Sequence, residues 1–164
     1  EMCIRDSPKS VGQIPFAFPF KPGSDESSET SVYGALYPFG HGLSYTTFQY
    51  SDLVISPSKQ GVQGNISISC TIKNIGQREG DEVVQLYLRG EVSSVTTYTQ
   101  VLRGFERITL KPEASHTVHF ELTPQELGIW DKQMNFTVEP GMFKVMIGSS
   151  SKDIRLKGEF EIAQ

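Results

Sequence analysis

The sequence predicts an all-β protein, an antiparallel β-sandwich with one short helical turn and an extended N-terminal leader. Three observations carry that expectation. Apolar and polar residues alternate through most of the chain after Tyr45. Turn-forming residues recur roughly every 8–12 positions between the alternating runs. A proline-rich stretch with no strand pattern comes first. The chain of 164 residues is 37% hydrophobic and 10% aromatic, with a mean hydropathy of −0.27, which is the composition of a folded domain rather than a disordered one.

Residues 1–7, EMCIRDS, read as a foreign or artefactual start, with a Cys and two acids and no apolar core of a signal peptide. Residues 8–35 are leader and linker. Four of the nine prolines lie in residues 8–23, and proline lacks an amide donor, so this is extended chain with at most a short strand near Val11–Ile14. Its Ile14, Phe16, Phe18 and Phe20 need a surface to lie on. Residues 24–31, SDESSETS, are a small polar linker, expected to be mobile. Residues 36–45 form a joint loop, and 46–163 the sandwich.

Within the sandwich, Ile66, Ile68, Cys70 and Ile72 share one face of a strand over Asn65–Lys73, and Asn74–Gly80 is a turn. Residues 81–90 carry apolar groups on both faces, Val84, Leu86 and Leu88 on one and Val83 and Tyr87 on the other, as a central strand does. Gln100–Leu110 is a strand bent at Gly104. Ser115–Leu122 turns Val118, Phe120 and Leu122 inward. Thr123, Pro124 and Glu126 then spell a capping box with Pro at the first helical position, so one helical turn follows, ended by Gly128. Trp130, the one tryptophan, is expected to plug an end of the sandwich. Strands resume at Met134–Val138, Phe143–Ile147 and Ile154–Ile162, with Glu139-Pro140-Gly141 as a hairpin turn between the first two. Arg155, Lys157, Glu159 and Glu161 form a charged outer face that protects an edge.

Several function classes fall away. A (β/α)₈ barrel needs roughly 200 residues or more. A membrane span needs about 18 consecutive apolar residues, and no such run exists. A net charge of −4 with no Lys/Arg cluster argues against nucleic acid as a partner. Cys3 and Cys70 make neither a disulfide scaffold nor a zinc site, and Cys70 reads as a buried free thiol. His116 and His119 have no metal-ligand spacing. His41 sits between two glycines in a loop, where a packed joint is the simpler reading. Asp81, Glu82, Asp131 and Glu139 are the candidates for an acid and nucleophile pair, but each lies in a turn or at a strand end, and nothing in the spacing unites two of them. The sequons at Asn65 and Asn135 fall in strands and read as chance. The residues therefore name no catalytic group, no cofactor site and no metal site.

The motifs do resemble a known family. Leu36–Phe48, LYPFGHGLSYTTF, is similar to the segment that leads into the C-terminal domain of glycoside hydrolase family 3. Asn74–Leu88, Leu102–Pro112, Leu122–Asp131 and Val138–Ser151 follow that family's immunoglobulin/fibronectin type III-like β-sandwich in order, and Ser10–Pro15, SVGQIP, resembles the end of the preceding α/β sandwich domain. The resemblance is nearest to bacterial periplasmic β-glucosidases. It implies a parent that hydrolyses terminal β-D-glycosidic bonds with retention, and a periplasmic or secreted location. The family's catalytic Asp and Glu lie on upstream domains and match no residue of this chain, which is expected to be inactive alone. The implied role is structural: this piece braces the barrel and α/β domains of the same polypeptide, with Tyr37, Phe39, His41, Tyr45 and Trp130 as interdomain packing residues. Two other readings stand beside it. One is a free-standing carbohydrate-binding module that takes an oligosaccharide on exposed Tyr87, Tyr98 or Phe105. The other is an adhesion domain that uses a sheet edge. Val92–Thr99 is a polar loop rich in Ser and Thr.

Overall fold

The computed structural model describes residues 7–8, 18–19 and 35–164. Cys3, the expected strand near Val11–Ile14 and the polar linker at 24–31 lie outside the described residues, as do Ile14, Phe16 and Phe20. The elements in chain order are β1 (Ser7–Pro8), β2 (Ala35–Tyr37), β3 (Phe48–Ser56), β4 (Lys59–Gly61), β5 (Ile66–Asn74), β6 (Gly80–Gly90), β7 (Val101–Leu110), β8 (Ser115–Leu122), α1 (Pro124–Leu127), β9 (Ile129–Trp130), β10 (Phe136–Thr137), β11 (Gly141–Gly148) and β12 (Ile154–Ala163). Two sheets make the sandwich: five strands in the order β4-β12-β11-β6-β7, and three in the order β3-β5-β8. Every pairing is antiparallel except β12 with β4.

Alternation produces this arrangement directly. A strand turns every second side chain to the same face. Ile66, Ile68, Cys70 and Ile72 of β5 therefore line one wall of the core at 0% exposure. Val84 and Leu86 of β6, Val145 and Ile147 of β11, and Phe160 and Ile162 of β12 form the opposite wall. Phe143 and Phe160 stack across β11 and β12 with ring centroids 5.4 Å apart. Burial pushes the Cys70 thiol up to about 11, so it stays protonated and inert at neutral pH.

The capping box forms as the sequence indicates. Thr123 caps α1, Glu126 Oε2 accepts from the Thr123 amide at 2.8 Å, and the amide of Gly128 closes the turn on the Pro124 carbonyl at 2.9 Å. The bend at Gly104 is a β-bulge: Gly104 pairs with Leu86 and Leu102 with Tyr87, so Arg103 is the extra residue. A side chain on Gly104 would meet the Phe120 ring at 2.9 Å, which is why this inward position of β7 is bare.

Several expectations need correction. The strand over Met134–Val138 shrinks to Phe136–Thr137, paired only with β9. Met134 at φ +63° and the backbone bonds of Asp131 with Met134 and Asn135 use the neighbouring residues as the turn of that small hairpin. Glu139-Pro140-Gly141 is thus no hairpin turn, because β10 and β11 belong to different sheets. β12 is not an edge. β4 pairs with its Glu161, Ile162 and Ala163. Trp130 is 59% exposed and plugs nothing, whereas Tyr87 is fully buried and offers no platform. Asn65 and Asn135 stand just before their strands rather than in them.

Candidate functional site

The region after β2 is built on the outer face of the five-stranded sheet. Val84, Leu86 and Leu88 of β6 turn inward, so Gln85 and Tyr87 turn outward, yet they are only 2% and 0% exposed. The joint loop covers them. Phe39 lies against the sheet, and Phe18 of the leader stacks on Phe39 at 4.4 Å and meets the Tyr87 ring edge-on at 5.8 Å. At least this leader residue finds its apolar surface within the chain itself.

Polar bonds fix the cover in place. Gln85 Nε2 donates to the carbonyls of Gly40 at 3.0 Å and Ser149 at 2.6 Å. The Tyr87 hydroxyl donates to Gln85 Oε1 at 2.5 Å. The Ser151 amide donates to the Phe39 carbonyl at 3.0 Å, and Gln100 Nε2 to the Ser151 carbonyl at 2.8 Å. Buried carbonyls left without donors would each cost about 1–3 kcal/mol, so this network decides where the loop rests. Gly40 is required at φ +77°, and a methyl group there would come within 2.0 Å of Gln85 Oε1.

The rest of the joint faces outward. Leu36 and Tyr37 are about half exposed, and Leu43 and Tyr45 are 93% and 92% exposed. His41 stacks on Tyr37 at 5.2 Å, and its amide closes a turn on the Pro38 carbonyl at 3.0 Å. Beside them opens a cleft of about 710 Å³ whose walls include His41, Leu43, Phe48, Glu82, Arg107 and Arg155. Of the five residues singled out as packing anchors, Tyr37 and His41 stack together, and Tyr45 stands exposed four residues further along the same loop. Phe39 is buried beneath them. Trp130 is elsewhere: its neighbours Leu88 and Gly90 are at the far end of β6, about 23 Å along an extended strand from Glu82.

The four candidate carboxylates do not form a pair. Asp81 accepts from Thr109 and Arg107, and these bonds hold it below the usual carboxylate range. Asp131 caps its own turn through the amides of Gln133 and Asn135. Glu139 accepts from the Ser94 amide at 2.9 Å. Glu82 alone of the four is raised, through burial, beside Arg155 and Asp153. A retaining acid and nucleophile pair needs two carboxylates across one gap of roughly 5–5.5 Å, whereas each acid here is committed to a different local partner. His119 points to solvent. His116 reaches Glu106 across the open side of the sandwich at 3.6 Å. Among the described residues, no three His, Cys, Asp or Glu side chains converge as metal ligands, and no helix is long and apolar enough to cross a membrane.

Sequence reasoning missed Gln85, Gly40 and the bulged Arg103. The signal for Gln85 was a lone amide within the apolar run Val83–Leu88. Gly40 was visible only as one glycine of a permissive loop.

With this geometry in hand, the comparisons with known proteins are specific. Residues 82–151 match the fibronectin type III-like domain family. The chain is 40% identical to a periplasmic β-glucosidase of Salmonella typhimurium over 94% of its own length and 22% of that protein's. It is 41% identical to a β-xylosidase of Formosa agariphila over 92% of its length and 21% of that protein's. A solved β-glucosidase from Erythrobacter marinus superimposes with a TM-score of 0.88 at 34% identity, covering 96% of this chain and 21% of that one. The chain thus spans about a fifth of the length of these relatives. It carries a fibronectin type III-like domain and belongs with the C-terminal part of the β-glucosidase-like glycoside hydrolases of family 3.

Proposed function

We propose that this chain is the bracing domain of a periplasmic enzyme that hydrolyses terminal β-D-glycosidic bonds, and that residues 36–45 are its seam with the catalytic domains. One observation carries the reading. A loop anchored by buried hydrogen bonds on one side presents Tyr37, Leu43 and Tyr45 to solvent on the other. Holding a loop rigid while leaving large apolar groups bare is costly for a free surface and favourable for one that another domain covers. Tyr37, His41 and Tyr45 are the contact residues, and Phe39 fixes the loop beneath them. The periplasmic location and the β-glycoside substrate rest on the names of the relatives, since the catalytic carboxylates of such an enzyme have no counterpart here.

A chimera tests this. The matching fifth of the Salmonella typhimurium β-glucosidase is replaced by this chain. The chimera is expected to fold and to hydrolyse an aryl β-glucoside, while this chain alone does not. Tyr45→Ser is expected to lower the chimera's melting temperature and to leave that of the isolated chain unchanged. Hydrolysis by the isolated chain, or a chimera indifferent to both Tyr37→Ser and Tyr45→Ser, overturns the proposal.

A further inference from the structure

A second cleft, of about 300 Å³, lies at the opposite end of the sandwich from the seam. That volume is at the small end of ligand pockets, roughly 300–1,000 Å³. Its walls are Trp130, Tyr98, Leu127, Phe143 and Arg103, and the loop between β6 and β7 roofs it. Four independent features of these residues suit a ligand.

The first is the bulge. Bulges re-aim side chains, and the extra residue here is Arg103, which enters the cleft instead of continuing the alternation of β7. The second is its hydrogen bonding. Arg103 Nε is buried without a partner among the described residues, a rare condition for a guanidinium donor. The third is the pair of aromatic walls. Trp130 is 59% exposed and Tyr98 43%, and Trp130 meets the Phe136 ring in a T-shaped contact at 5.5 Å. The fourth is the tether of the roof, since Glu139 accepts from the Ser94 amide and holds that loop over the opening.

The charge balance selects the ligand chemistry. Glu126 and Glu139 share the cleft with Arg89 and Arg103, so there is no surplus of positive charge to attract an anion. What remains is a slot lined by Trp130, Tyr98 and polar loop side chains, with the Arg103 guanidinium in its wall. A pyranose ring has the complementary form, with C–H faces for the aromatic walls and hydroxyl edges for the guanidinium. We propose that the cleft of Trp130, Tyr98 and Arg103 binds a neutral pyranose unit of an oligosaccharide. This does not depend on the seam, which lies at the other end of β6.

Trp130 is the only tryptophan in the chain, so its emission reports on this cleft alone. The full chain is titrated with cellobiose, with xylobiose and, separately, with glucuronate, while Trp130 fluorescence and amide NMR shifts are followed. The expected result is a saturable emission change with one of the disaccharides, with shifts confined to residues 92–103 and 126–130. Arg103→Gln is expected to weaken binding about tenfold, the loss of a charged hydrogen bond. Should Arg103→Gln fail to fold, Tyr98→Ala, at an exposed position, reads the same loss. His41→Ala leaves binding unchanged. Three results overturn the proposal: no saturable response to either disaccharide, which leaves Trp130 as a protein-docking residue; binding of glucuronate alone, which makes the site anionic in preference; or disaccharide binding that neither Arg103→Gln nor Tyr98→Ala weakens.

Discussion

The two faces of β6 are buried to the same degree by different means. On the inner face Val84, Leu86 and Leu88 are part of the apolar core cluster. On the outer face Gln85 and Tyr87 are sealed by Phe39, Phe18 and a loop at 149–151, through polar bonds and ring contacts. Apolar packing tolerates small shifts because dispersion contacts are many and individually weak. A buried amide does not, since each misplaced partner leaves a donor or acceptor unmet. The inner face therefore supplies stability. The outer face sets the position of the joint loop.

Substitutions separate these roles. Leu86→Ala is expected to have the largest effect, about 2–5 kcal/mol in urea unfolding, because the cavity lies at the centre of the core. Tyr37 and His41 should keep their stacked geometry in whatever fraction remains folded. Gly40→Ala comes next, at about 2–3 kcal/mol, from the left-handed backbone and the displaced Gln85 amide. Hydrogen exchange should show the loss concentrated in residues 38–42 and 149–151. Gln85→Leu is expected to cost about 2 kcal/mol for the unmet carbonyls of Gly40 and Ser149. If Gln85→Leu is neutral and the loop keeps its protection, the polar network does not position the loop and the contrast between the faces fails.

The smallest effect compares the two ends of the sandwich by pH. The Thr123 hydroxyl and amide hold Glu126 below its ordinary 4.5, so its contribution is present above that value and is lost as pH falls through the folded value. Burial raises Glu82 instead, so its contribution is full below 4.5 and is lost as pH rises through the folded value. Melting temperatures of Glu126→Gln and Glu82→Gln against pH should differ from the parent in opposite senses. Glu126→Gln should be destabilised at neutral pH and converge with the parent in acid. Glu82→Gln should be stabilised at neutral pH and converge there too.

Much of the fold was legible because alternation is a local signal with a global meaning. β5 and β8 could be read residue by residue, and the capping box at Thr123 lies within four consecutive residues. What was not legible depended on distant partners. Lys59, Gln60 and Gly61 have no apolar pattern, since β4 is made by backbone pairing with a strand a hundred residues away. Tyr87 looked like a surface aromatic because its cover comes from Phe18 and Phe39. Trp130 looked like a core residue because large aromatics usually are, but an isolated Trp beside a helical turn has no periodic face to orient it. For the candidate site, the motif at residues 36–45 was visible as a joint, whereas its anchoring through Gln85 and the aiming of Arg103 by a bulge were not.

The small parallel strand β4 has a consequence beyond the fold. It covers the last residues of β12 and is pinned there by Lys59 and Glu161 at 2.8 Å. The opposite border of that sheet, β7, is broken by the bulge at Arg103. Each border thus carries a feature that blunts strand addition, β4 over the last residues of β12 and the bulge in β7. A protein so guarded should stay monodisperse when concentrated, and removing the guard at Lys59 should show first as haze on storage rather than as a lower melting point.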